Sequence, residues 1–180
     1  MSKPMDILLA GFGGQGVLFA GKVIATAGLI EDREVSWLPS YGPEMRGGTA
    51  NCSVTLSDEA IGSPLITEPT ALLALNQPSL HKFIDTVVPG GIVIADSTMI
   101  HYIDDRPDVR IIKVPATALA EEAGLKGLAN IVMVGKLWAE EPFCDLETLE
   151  EALIHTIPPR KAAMLEKNQR ALRIGMDYQG

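Results

Sequence analysis

The chain has 180 residues, 47% of them hydrophobic and 21% charged, and carries a formal net charge of -8. That length suits one domain spanning residues 1–180 with a full core, the balance excludes a disordered chain, and the acidity argues against nucleic acid as a partner. No apolar run approaches the roughly 20 residues of a membrane helix, no charged-then-apolar leader opens the chain, and two cysteines are too few for an iron–sulfur or structural zinc site, so a cytoplasmic, reducing location is the default.

Residues Asp6 to Ala10 form a short apolar run suited to a buried parallel strand. Four glycines follow within six residues, Gly11, Gly13, Gly14 and Gly16, and a helical pattern resumes at Val17 and ends at Gly28. Strand, glycine turn and helix are the first half of a βαβ unit. Gly11, Gly13 and Gly16 fit G-x-G-x-x-G, in which the glycines give a tight turn, close backbone approach to a ligand, and close helix–strand contact. The helix N-terminus offers free N–H groups to an anion; tight packing of the first helix alone explains the same glycines. A phosphate-binding Walker loop is rejected, because Val17 and Val23 stand where lysine and a hydroxyl are required. A second strand over Glu34 to Leu38 ends in Pro39-Ser40-Tyr41, without the acid that would hold a nicotinamide ribose.

The loop Pro39 to Gly48 is dense in turn formers and long for this class of fold. Thr49 to Leu56 alternates Ala50, Cys52, Val54 and Leu56 on one face, which predicts an edge or antiparallel strand. Ala71 to Leu75 is a further strand, stopped by Asn76-Gln77-Pro78 before a helix over Ser79 to Val87. Ile92 to Ala95 and Val109 to Val114 are strands, ending at Asp96 and Pro115. Thr117 caps or starts a helix to Ala123. Asn130 is read as the N-cap of an apolar helix from Ile131 to Glu140. Helices over Glu147 to Ile157 and Arg160 to Ile174 close the chain.

This alternation predicts a single three-layer α/β domain, a mostly parallel sheet with helices on both faces. Ligands of such sheets gather beyond the carboxyl ends of the strands. One rim should therefore collect Gly11 to Gly16, Ser40 to Gly48, Asn76 to Ser79, Asp96 to Thr98 and Pro115 to Thr117. Glu44 and Arg46 are the most reactive-looking pair. Arg46, beside Gly47 and Gly48, could grip a carboxylate, a phosphate or an acidic partner residue, whereas an exposed ion pair worth little also accounts for Glu44. Asp96 reads as a strand-end acid capping a turn and Cys52 as core. No nucleophile–base set, paired carboxylate or metal cluster stands out, so no catalytic residue is expected in this chain.

The segments Gly11-Phe12-Gly13-Gly14-Gln15-Gly16-Val17 and Ser40-Tyr41-Gly42-Pro43-Glu44-Met45-Arg46-Gly47-Gly48-Thr49-Ala50 together resemble the gamma subunit of 2-oxoacid:ferredoxin oxidoreductases. Asn76-Gln77-Pro78, Pro89-Gly90-Gly91 and the run from Leu128 to Gly135 are similar to the same pattern. The resemblance implies a Rossmann-like domain within a hetero-oligomer that joins a 2-oxoacid and coenzyme A into acyl-CoA, carbon dioxide and reduced ferredoxin. Thiamine diphosphate and 4Fe-4S clusters would lie on companion alpha and beta subunits, with a delta subunit left open. A homodimer is allowed for the isolated chain. The wording around Arg46 is most similar to the 2-oxoglutarate type, with branched-chain 2-oxoacids close behind. Pyruvate and indolepyruvate enzymes share the domain. The ligand or interface residues implied are Gly11, Gly13, Gly14, Gln15, Gly16, Tyr41, Glu44, Arg46, Gly47, Gly48, Asn76 and Gln77. A stand-alone nucleotide-binding module remains the alternative.

Overall fold

The structure is a computed structural model that describes residues 3–40 and 49–180. Its sheet has six strands, β1 (Met5–Phe12), β2 (Glu34–Ser40), β3 (Thr49–Ser57), β4 (Ala71–Ala74), β5 (Ile92–Asp96) and β6 (Arg110–Val114), in the order β2-β3-β1-β4-β5-β6. Strands β1, β4, β5 and β6 run parallel; β3 lies antiparallel between β2 and β1. The sheet is thus mostly parallel, as expected, and β3 is antiparallel without being an edge.

Alternation assigns the two faces. Ile7, Leu9, Ala71, Leu73, Ile92 and Ile94 point into one core, while Leu8, Leu72, Ala74, Val93 and Ala95 point into the other. Both sides of the central strands are therefore apolar, which is why they read as continuous hydrophobic runs. On β3, Ala50, Cys52, Val54 and Leu56 are buried and Asn51, Ser53 and Thr55 are not. On its opposite face Asn51 and Ser53 border a cleft shared with Leu65, Thr67 and Phe83.

Six helices surround the sheet: α1 (Val17–Ile30), α2 (Gln77–Phe83), α3 (Ala116–Glu122), α4 (Ala129–Glu140), α5 (Leu146–Thr156) and α6 (Met164–Asp177). Helix α1 packs over β2 and β3, α4 over β4 and β5, and α5 and α6 pack against α1 and α4 in turn. Helix α2 contributes to the second core, on the other face.

Several expected boundaries move. The helix expected over Ser79 to Val87 starts at Gln77 and ends at Phe83, and its last turn is a 3-10 turn over Ile84–Thr86. Helix α4 begins at Ala129 with Leu128 as its cap, so Asn130 lies inside the first turn and is not the N-cap. Its amide is used across the fold, as described below. The last helix begins at Met164, after a 3-10 turn over Pro159–Lys161. Pro159 opens that turn, at a position where a missing N–H has no helical partner to lose.

Candidate functional site at the carboxyl rim

The carboxyl ends of β1, β2, β4, β5 and β6 and the first residue of β3 share one edge, since Thr49 pairs with Phe12 and Asn51 with Ser40. The described rim segments do converge. Tyr41, Glu44, Arg46, Gly47 and Gly48 lie outside the described residues.

Gln15 occupies the centre of this rim, between the ends of β1 and β4. Its Oε1 accepts from the Phe12 N–H at 2.6 Å and from Asn76 Nδ2 at 3.1 Å, and its Nε2 donates to the Leu75 carbonyl at 3.1 Å. Crossovers leave β1 and β4 toward opposite faces, so this is the point where an open α/β sheet normally receives a ligand. Here a side chain of the turn itself fills it. A Cβ on Gly11 would meet Gln15 Oε1 at 2.7 Å, so a side chain there would push Gln15 out of these bonds. Gly14 and Gly16 have φ of +94° and +74°, which favours glycine; Gly13 is exposed.

Asn76 caps α2 by accepting from the Ser79 N–H at 2.9 Å. Gln77 holds the next loop: its Oε1 accepts from the N–H groups of His101 and Tyr102, and its Nε2 donates to the Tyr102 carbonyl at 2.7 Å. Asn130 reaches from α4 and donates to the Gly16 carbonyl at 2.9 Å. Sequence reasoning missed this tether. Its signal was a lone amide in an apolar helix, which suits a cap equally well.

Asp96, fully buried, accepts from the Thr117 hydroxyl at 2.6 Å and from the N–H groups of Thr98 and Thr117. Thr98 Oγ1 in turn accepts from the Ala118 N–H at 3.1 Å. The carboxylate thus fastens the end of β5 to the start of α3, the turn-capping role its position suggested.

Both thiols are buried. Desolvation pushes each up to about 12, against weaker lowering by hydrogen bonds, from Trp37 at Cys52 and from Trp138 at Cys144. They stay protonated at neutral pH, when a cluster or metal ligand must be thiolate. Among the described residues no three His, Cys, Asp or Glu side chains group to hold a metal. The donor set therefore does not fit an iron–sulfur cluster.

Beside the glycine turn, a cleft of about 340 Å³ is lined by Gly14, Gln15, Met99, Thr117, Glu121 and Lys126. It is open and largely apolar, and no nucleophile and base are hydrogen-bonded to each other among its lining residues. The rim can bind and pack, but its described polar groups largely bond one another.

The profile of the pyruvate ferredoxin/flavodoxin oxidoreductase family matches residues 6–178. The chain is 42% identical to the ketoisovalerate oxidoreductase subunit VorA of Methanothermobacter thermautotrophicus, over 96% of the chain but 36% of that relative. It spans about a third of that relative's length. It is 38% identical to the 2-oxoglutarate synthase subunit KorC of Methanocaldococcus jannaschii, over 85% of the chain and 83% of the relative. Among solved structures, the keto/oxoacid ferredoxin oxidoreductase gamma subunit from Geobacter sulfurreducens superposes with a TM-score of 0.83 at 28% identity, over 96% of both chains.

Proposed function

The chain belongs to the pyruvate ferredoxin/flavodoxin oxidoreductase family, and from that premise we propose that it is the gamma-type subunit of a multi-subunit 2-oxoacid:ferredoxin oxidoreductase, inactive alone. The observation that carries this reading is the rim. The family match runs over nearly the whole chain, yet at the rim Gln15, Asn76, Gln77 and Asp96 all bond to their own backbone or to one another. Such a chain contributes a surface and a scaffold. The carbanion chemistry of thiamine diphosphate and the single-electron chemistry of 4Fe-4S clusters then belong to companion alpha and beta subunits, with a delta subunit left open, and ferredoxin meets the complex. Coenzyme A would be admitted at the junction. Tyr41, Glu44, Arg46, Gly47 and Gly48 are proposed as interface residues on their sequence chemistry alone. The location is proposed to be cytoplasmic.

The 2-oxoacid is proposed to be 2-oxoglutarate, on the wording around Arg46. A branched-chain 2-oxoacid is the second reading, favoured by the 42% identity to a ketoisovalerate subunit. Co-expression with the subunits encoded beside it tests both. The expected product is a brown complex that reduces a viologen dye with coenzyme A and 2-oxoglutarate, at a kcat/KM at least tenfold above that with 3-methyl-2-oxobutanoate. The reverse order selects the second reading. Turnover by the purified chain alone sinks the subunit reading.

A further inference from the structure

A second cavity of about 590 Å³ lies between α1, the start of α4 and the α5–α6 connection. Its walls are largely apolar, from Phe19, Leu128, Ile157 and Met164. Lys22 and Lys161, both exposed, border it. Neither lysine makes an ion pair among the described residues, where Arg33, Arg106, Arg110, Lys136 and Arg173 each do. Asn130 and Asn168, 4% and 2% exposed, also line it. Each has a side-chain oxygen, itself closed to solvent, with no hydrogen-bond partner among the described residues.

We propose that this cavity is the docking socket for a companion subunit, which inserts a segment carrying an aspartate or glutamate beside a branched or aromatic side chain. The inference rests on the subunit reading above. Two features select that occupant. The volume and lining suit one or two large apolar side chains. The chain as a whole is acidic, at -8, while two lysines without an ion pair among the described residues stand together at this cavity, so a carboxylate is the favoured charge there. Gly16 belongs to both this cavity and the glycine turn, and Asn130 joins them through its bond to the Gly16 carbonyl. Docking would therefore stiffen the rim from behind.

The test is assembly. Lys22→Glu and Lys161→Glu are made singly and together, and each full chain is titrated against the companion subunits immobilised by a tag. The melting temperature of each free variant is read in parallel. Expected is a 10- to 100-fold loss of affinity in the double variant, with the free chain melting as the wild type does. The wild-type affinity should fall steeply between 0.1 and 0.5 M salt, on the order of the screening change over that range, and the variant's should not. Should charge reversal lower the melting temperature, Lys22→Gln with Lys161→Gln carries the test, with a 3- to 10-fold loss expected. Wild-type affinity and salt dependence in the variants overturn the socket and leave the subunit reading standing. So does intact assembly with a raised KM for coenzyme A, which makes the cavity a site for a soluble anion. A wild-type chain that binds no companion sinks both.

Discussion

Gln15 and Asp96 are polar residues that a functional search selects first, and both are bound to their own fold. Gln15 makes three bonds across the β1 and β4 ends. Gln15→Ala strands the Phe12 N–H and the Leu75 carbonyl, at about 1–3 kcal/mol, and a fall of a few degrees in Tm is expected by calorimetry. Asp96→Asn turns an amide N–H toward the N–H and hydroxyl donors of Thr117, and should cost a similar amount. If Asp96 instead acted on a substrate, that variant would melt normally and lose only turnover of the complex. The thiols give a pH signature. Their folded pKa values are raised from 9.0 to about 12, so above pH 9 the unfolded chain releases protons that the folded chain keeps. Stability is therefore unaffected by these groups below pH 9 and falls between pH 9 and 12, by up to about 1.4 kcal/mol per pH unit for each thiol. Urea titrations at pH 8 and 10.5 read this, and a Cys52→Ala, Cys144→Ala double variant should lose much of the slope. The sequence made Cys52 legible as core through its alternation with Ala50 and Val54. It could not place Gln15, because the turn's spacing is the same whether a ligand or a side chain fills it.

At the scale of elements, periodicity found all six strands and the helices, most within two residues of their ends, because each central strand is apolar on both faces. What it could not show was the crossing of α4 and α6. There Gly135 and Gly175 face each other's helix: a Cβ on Gly135 would strike the Leu172 carbonyl, and one on Gly175 the Val132 carbonyl. Backbone atoms cannot turn aside, so the helices would have to separate. Helix propensity alone makes Gly→Ala favourable by about 1 kcal/mol. Here Gly135→Ala and Gly175→Ala should each destabilise by about 1–3 kcal/mol, as overpacking does. Gly62, in open space and without positive φ, supplies the contrast. Gly62→Ala should leave Tm unchanged or slightly raised. Equal behaviour of the three variants in thermal melts would show that the crossing has slack. The Asn130 tether belongs to this scale as well, since it fixes α4 against the glycine turn from 114 positions away in sequence. Local pattern gives no access to a contact of that separation.

At the scale of the molecule, the same rim decides whether the glycine motif serves a dinucleotide. Strand β2 ends at Ser40, and within it the charged residue is Glu34, at the opposite end of the strand. Among the described residues, a ribose lying over the rim finds no carboxylate acceptor at the end of this strand, where a nicotinamide site places one. At the turn the Phe12 N–H already donates to Gln15 and is closed to a pyrophosphate unless that side chain moves. Displacing Gln15 would expose a bonded amide and a bonded carbonyl, which costs about 1–3 kcal/mol for each group left unpaired. That penalty is comparable with the roughly 4 kcal/mol that a millimolar affinity represents. No heat is thus expected when NAD or NADP is titrated into the chain to about 1 mM. The Gln15→Ala variant refines the experiment. If the plug alone kept nucleotides out, removing it would produce binding; with no carboxylate at the described end of β2 either, the variant should remain silent. Micromolar binding by the wild-type chain would restore the stand-alone nucleotide module as the better account of the glycine turn.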